Sequence, residues 1–222
     1  IIAETTDSFA QGYFVYDSKK AGSMTISHLR VSPDPIRSAY LIREAGFVAC
    51  HQFNFLDHMD VLQYAAPGGD FLLNSPHGPE GTWDKLPKVV QEQIIEKDLK
   101  VHVIDAQKVA MATGMGRRIN TIMQTCYFAI ADVIPREDAI TRIKAAIRRT
   151  YTVKGHYVVD MNYNAVDQAL DHMHEMKRPG NAAGVEVPPI VSDRAPDFVK
   201  RVTAMMLAGK GDTLPVSVFP AD

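Results

Sequence analysis

Two cysteines, Cys50 and Cys126, are all that the 222 residues contain. That number excludes a disulfide-built scaffold. It also excludes a 4Fe–4S cluster held by this chain alone, which would need four thiolates. A single bridge is compatible with the count, but two buried thiols in a reducing cytoplasm are the expectation. Charge of one sign is missing too: 24 Lys and Arg face 26 Asp and Glu, for a net charge of -2. Such a balance carries no electrostatic footprint for nucleic acid. No apolar run approaches the roughly 20 residues that span a bilayer, and no secretory signal precedes the first strand pattern. Catalytic signatures are equally absent. There is no Gly-x-Ser-x-Gly elbow, no Walker lysine pattern, no flavin or nicotinamide fingerprint and no pair of carboxylates placed for acid–base work. His51, His58 and His77, with Asp57 and Asp60 nearby, match no metal-ligand spacing. No catalytic residue and no metal site are assigned, and the chain alone does not read as a complete enzyme.

What is present is ordinary globular material, 46% hydrophobic and 23% charged, enough for a substantial core. Tyr13 to Tyr16 and Met24 to Val31 read as strands, as do Gly46 to His51, Phe71 to Asn74 and Val101 to Ile104. Apolar residues at helical spacing predict helices over Phe55 to Ala66, ended by Pro67-Gly68-Gly69, and from Pro87 to Lys97. Further helices are predicted over Ile119 to Val133, Glu137 to Arg149 and Val158 to Met176, with a short last one from Asp197 to Ala208. Met111, Met115 and Met123 read as adaptable core. Alternation of strand and helix predicts a layered α/β/α domain with a mostly parallel sheet, mixed because the opening hairpin adds an antiparallel pair. From Pro179 to Pro196 the composition turns to Pro, Gly, Ala and Val without periodicity. Residues 1–178 are therefore expected to form the domain, and 179–222 a linker or arm leading onward.

Two turns could meet an anion. Between the first strands stand Asp17, Ser18, Lys19, Lys20, Ala21, Gly22 and Ser23. Small residues with two ammonium groups can hold a phosphorylated or carboxylated ligand by charge-assisted hydrogen bonds. A solvated hairpin turn would have the same composition. Thr113-Gly114-Met115-Gly116-Arg117-Arg118 precedes a helix and superficially suggests a phosphate turn. Here the favoured reading is that the glycines permit close packing while the arginines pair with carboxylates, of this domain or of another.

The stretch from Gly12 to Arg30, with Ala49-Cys50-His51-Gln52, Gly114 to Thr125 and Gly211 to Ser217, resembles the gamma domain of the pyruvate:ferredoxin/flavodoxin oxidoreductases. The matches run in the family's order from about residue 5 to the end. The resemblance implies one domain of a much larger polypeptide, lacking here the family's first strand and glycine-rich turn. It implies an enzyme that decarboxylates a 2-oxoacid on thiamine diphosphate with Mg, passes electrons through 4Fe–4S clusters to ferredoxin or flavodoxin, and leaves the acyl group on coenzyme A. Those cofactors are expected in other domains, with a homodimeric, cytoplasmic parent. This domain's share would be domain assembly and a coenzyme A contact by Lys19 and Lys20, with Ser18, Gly22 and Ser23. A purely structural interaction module is the alternative. So is the same domain borrowed by an NADP-linked or sulfite-reducing oxidoreductase.

Overall fold

The computed structural model describes residues 2–16 and 24–219. A short helix, α1 (Ile2–Thr5), leads into an antiparallel hairpin of β1 (Phe9–Tyr16) and β2 (Thr25–Ser32). Its register runs from Phe9 opposite Ser32 to Tyr16 opposite Thr25. The hairpin forms a sheet of its own and does not join the main one. The main sheet has the order β3 (Ala45–Cys50), β4 (Ala65–Asn74), β5 (Lys100–Ile104), β6 (His174–Glu175). The first three strands are parallel, and β6 lies antiparallel on β5. The sheet is thus mixed and mostly parallel as expected, but its antiparallel member comes from the end of the helical run. The opening hairpin does not supply it, because β1 and β2 pair with each other in a separate sheet.

Phe71, Leu72 and Leu73 of β4 are all fully buried. A strand apolar on both faces must be central and covered on both sides. On one side, Phe71, Leu73, Val101 and Val103 meet Val90 and Ile94 of α3 (Lys88–Glu96), together with Leu56, Leu62 and Met176. A single turn, α2 (Gly78–Gly81), precedes α3. On the other side, Leu72 and Ile104 meet α4 (Ala106–Ala112), α5 (Asn120–Ile130) and, after α6 (Arg136–Tyr151), α7 (His156–His172). Helix α5 is apolar on most faces because it is sandwiched. Ile122, Met123 and Cys126 face the sheet cluster, while Phe128 joins Ala139, Ile143 and Ile147 of α6. Ile2 and the partly buried Val31 join this outer cluster, which anchors the base of the hairpin to the helices.

Several expected boundaries move. Phe55 to Ala66 is not one helix but two tight turns, Phe53–Asp57 and Val61–Tyr64. Successive short turns present apolar residues at nearly the same spacing as an α-helix. Pro67-Gly68-Gly69 does not follow a helix; it is an irregularity inside β4, where Ala45 pairs with Ala65 but Phe47 pairs with Asp70. A β-carbon at Gly69 would stand 2.9 Å from the Gly46 carbonyl oxygen, so the strands approach too closely there for any other residue. Helix α7 stops at His172, and Met176 continues past β6, donating its N–H to the Val101 carbonyl at 2.8 Å. The last helix is π-wound over Val199–Thr203 before α8 (Ala204–Leu207). Met115 and Met123 are buried, but Met111 is on the surface, pointing away from the core.

Candidate functional site

Lys19, Lys20, Ser18, Gly22 and Ser23 lie outside the described residues. The strands on either side of them are described. Alternation along β1 and β2 divides the hairpin into two faces. One carries Gln11, Tyr13 and Val15 opposite Arg30, His28 and Ile26. This face is tied to the body of the domain. His28 is buried, its Nδ1 accepts the Ile42 N–H at 3.1 Å, and its ring stands edge-on to Tyr64 at 5.9 Å. Arg30 donates to Gln11 Oε1 and to the Tyr40 carbonyl, both at 3.2 Å, and lies 3.6 Å over the Tyr40 ring. The second face carries Gly12, Phe14 and Tyr16 opposite Leu29, Ser27 and Thr25. Phe14 and Tyr16 are 60% and 72% exposed, so among the described residues nothing covers the end of this face. A strand eight residues long reaches about 25 Å, and the hairpin is held from its base, at Val31, to its middle, at His28.

The carboxyl ends of the parallel strands are the other place where α/β sheets commonly act. Here they are closed by internal hydrogen bonds. Buried Asn74 donates to the His51 carbonyl and accepts from the Ala106 N–H, both at 2.9 Å, and so ties β3, β4 and the start of α4 together. Ser75 and Thr82, both fully buried, share a hydroxyl contact of 2.7 Å. His77 stands edge-on to Phe53 at 5.1 Å. Desolvation pushes the His51 imidazole below its usual range. This edge is a structural seam.

The glycines of the loop after α4 follow the packing interpretation, whereas the carboxylate partners expected for its arginines are not found among the described residues. Gly114 and Gly116 adopt left-handed φ of 77° and 63°. A β-carbon at Gly114 would meet Met161 Sδ at 2.9 Å, so the glycine lets the loop pack on α7. Arg117 and Arg118 are exposed and make no ion pair among the described residues.

The candidate ligands His51, His58, His77, Asp57 and Asp60 are not brought together. Asp60 instead accepts from Gln93 at 2.7 Å and faces Lys210 at 3.4 Å. Among the described residues no group of three or more His, Cys, Asp or Glu stands together as a metal site. Cys50 and Cys126 are free thiols in separate core clusters, and burial pushes them up to about 11 and about 12. Such a donor set does not fit an iron–sulfur cluster, which takes four thiolates brought together. No helix among the described residues is long and apolar enough to cross a membrane.

One feature was not legible from residue types. Gln91, 1% exposed, holds the Pro- and Gly-rich arm. Its Oε1 accepts from Ala183 and Gly184 N–H at 2.7 Å, and its Nε2 donates to the Trp83 carbonyl at 2.7 Å. The arm then bridges alongside Pro87, where the Lys88 N–H donates to the Val185 carbonyl at 2.9 Å. The signal available in the sequence was Gly184 itself, where a β-carbon would stand 2.2 Å from the Leu86 carbonyl oxygen.

A mostly parallel sheet between helical layers, with a separate hairpin projecting from them, defines a layered α/β domain. The same fold is found in a pyruvate oxidoreductase subunit from Thermotoga maritima, with a TM-score of 0.60 at 15% identity over 79% of this chain and 86% of that one. The profile of the pyruvate ferredoxin/flavodoxin oxidoreductase family matches residues 2–172, and the chain belongs to that family. A second profile, described as a domain of unknown function, matches residues 185–222. The chain is 58% identical over its whole length to pyruvate-flavodoxin oxidoreductase of Rhodospirillum rubrum, covering 19% of that protein. It is 38% identical to pyruvate dehydrogenase [NADP(+)] of Cryptosporidium parvum, over 99% of this chain and 13% of that protein. The chain thus spans about a fifth or less of these relatives.

Proposed function

We infer that the chain is the gamma-type domain of a thiamine-diphosphate-dependent pyruvate:ferredoxin/flavodoxin oxidoreductase. The observation that carries this reading is the whole-chain identity of 58% to a pyruvate-flavodoxin oxidoreductase. In such an enzyme pyruvate and coenzyme A give acetyl-CoA and carbon dioxide, and the electron pair leaves to ferredoxin or flavodoxin. Thiamine diphosphate, Mg and 4Fe–4S clusters supply that chemistry from other domains. This chain contributes domain assembly and part of the coenzyme A site, with residues 179–222 as the connection to its neighbour. The parent is a cytoplasmic homodimer.

The coenzyme A contact in this reading is the segment that joins β1 to β2. Lys19 and Lys20 are flexible point charges suited to the 3′-phosphate and diphosphate. Ser18 and Ser23 offer hydroxyl hydrogen bonds, and Gly22 permits close backbone approach. The fastening of β2 to the body of the domain by His28 and Arg30 supports this reading, since it holds the strands that lead into and out of this segment. Removing either lysine from an accessible phosphate contact weakens coenzyme A binding by about 1 kcal/mol. Titration of coenzyme A into the whole enzyme carrying Lys19→Ala and Lys20→Ala tests this, and unchanged affinity sinks it.

A second reading is favoured by the relative from Cryptosporidium parvum: the same domain serves an NADP-linked enzyme. Sequencing the parent polypeptide beyond this chain separates the two, because a nicotinamide- and flavin-binding extension would be present only in the second case.

A further inference from the structure

We propose that the cleft between the arm and the turn Phe53–Asp57 is a docking site for an apolar segment of another domain of the enzyme, anchored there by an arginine of that segment. This rests on the reading of the chain as one domain of a larger enzyme. It gives a role to residues 185–222, which match a profile described as a domain of unknown function.

The cleft is built from segments far apart in the chain. Asp57 and His58 line it from the turn, Val185 to Ile190 from the arm and Leu207 from the end of α8, around a volume of about 470 Å³. Its walls are held in place. Gln91 fixes Ala183 and Gly184, the Lys88 N–H holds the Val185 carbonyl, and the Lys88 ammonium meets Glu186 at 3.0 Å. Lys210, just beyond Leu207, faces Asp60 of the body at 3.4 Å. Pro188 and Pro189 stiffen the arm between these ties, since each ring fixes φ. The apolar lining is nevertheless open, with Val185, Ile190 and Leu207 exposed by 59%, 52% and 61%. A fixed concave surface with exposed aliphatic side chains is preorganised for a partner.

The chemistry of the lining selects the occupant. Pro188 and Pro189 have no N–H, so the arm offers no ladder for an added strand, and the occupant must dock by its side chains. The carboxylates of the lining are Asp57 and Glu186, and no lysine or arginine lines the cleft. Asp57 is exposed, and its carboxylate has no ion pair among the described residues. Glu186 gives one carboxylate oxygen to Lys88 and keeps the other. Carboxylates beside aliphatic walls fit an arginine, whose stem lies along apolar surface while its planar fork meets carboxylate oxygens. A second copy of this chain is disfavoured, because a two-fold contact would set the same carboxylates against each other. The relative from Rhodospirillum rubrum matches all of this chain with 19% of its own length, so the rest of such a polypeptide is the source of the segment.

The test uses the full-length enzyme with the photo-cross-linker p-benzoylphenylalanine in place of Leu207. Irradiation and peptide mass spectrometry are expected to join position 207 to one peptide from outside residues 1–222, and that peptide should contain an arginine. The same label in place of Ile190 should reach the same peptide. Asp57→Lys sets a cation where the arginine docks and should cut the cross-link yield about tenfold. Asp57→Asn should cut it less. Changing the identified arginine to glutamate in the Asp57→Lys enzyme should restore the yield. No cross-link from either position overturns the proposal, as does one confined to residues 1–222 or one to a peptide without arginine. A yield unmoved by Asp57→Lys overturns it too. The domain reading answers to a separate measurement, the length of the parent polypeptide. A long parent without the cross-link leaves that reading intact and removes the docking site. A parent no longer than this chain, cross-linked to a separate polypeptide through an arginine peptide, removes the domain reading and keeps the docking site.

Discussion

Replacing Gln91 with leucine keeps a buried side chain of similar bulk and removes a carboxamide that makes three hydrogen bonds. Two of them hold the arm: Ala183 N–H and Gly184 N–H to Oε1, each 2.7 Å. The third runs from Nε2 to the Trp83 carbonyl. Freed arm amides can turn to water, so the loss is the net value of two neutral hydrogen bonds, about 2 kcal/mol, which is about 30-fold in the opening equilibrium of the arm. Hydrogen exchange followed by mass spectrometry in the whole enzyme reads this directly at Ala183 and Gly184. It also reads Lys88, whose N–H is protected only while the Val185 carbonyl lies beside it. Gly184→Ala should accelerate the same amides by a different route. Its β-carbon would be placed 2.2 Å from the Leu86 carbonyl oxygen and 2.9 Å from Gln91 Cδ, so the arm must lift. Both changes undo one docking event, and the double variant should exchange little faster than the worse single. A silent Gly184→Ala, or effects that add in full, would show that the arm is not seated through this contact.

Two further outcomes test the core and the seam. Asn74→Ala leaves the Ala106 N–H and the His51 carbonyl without their partner inside the protein, and should destabilise the sheet by about 2–4 kcal/mol; faster exchange at β3, β4 and the start of α4, with the hairpin unaffected, is the expected pattern. Cys50 should resist alkylation in the native enzyme at pH 8 and react after denaturation, because burial favours its neutral thiol. The sign for stability follows from the same shift. The folded thiol titrates at about 11 against an ordinary 9.0, so the unfolded chain sheds its proton first and stability falls as pH rises from about 9 to about 11. Replacement of Cys50 by alanine should make that part of the pH profile shallower, with Cys126 supplying a remaining slope of the same sign.

Where a pattern is local, the residues announced the structure well. The run Phe71-Leu72-Leu73 is buried on both faces, as an apolar run in a parallel sheet should be. The stripe on α6 is Ala139, Ile143 and Ile147, with Ile140 half-buried beside it, the spacing on which the helix over Glu137 to Arg149 was expected. Phe55 to Ala66 misled because two separate tight turns share the spacing of one helix. The decisive contacts, Asp60 with Gln93 and Lys210, come from residues 33 positions away and far beyond. Gln91 is a polar residue within the helix expected from Pro87 to Lys97, and its burial and bonds depend on the returning arm.

The candidate site divides in the same way. Two lysines among small residues identify a turn able to meet phosphate, and that reading needs no tertiary information because charge and chain flexibility belong to the residues themselves. By itself the sequence determined the hairpin strands and the three parallel strands, the layered α/β class, the apolar stripes and the family resemblance, since each is written in residue order and period; β6, read as the end of a helix, was not among them. Only the tertiary structure decided that the hairpin stands apart from the main sheet, that His28 and Arg30 pin one of its faces, and that Phe14 and Tyr16 are left open on the other. The physical reason is that periodicity tells which residues share a face, whereas what covers a face is set by segments distant along the chain.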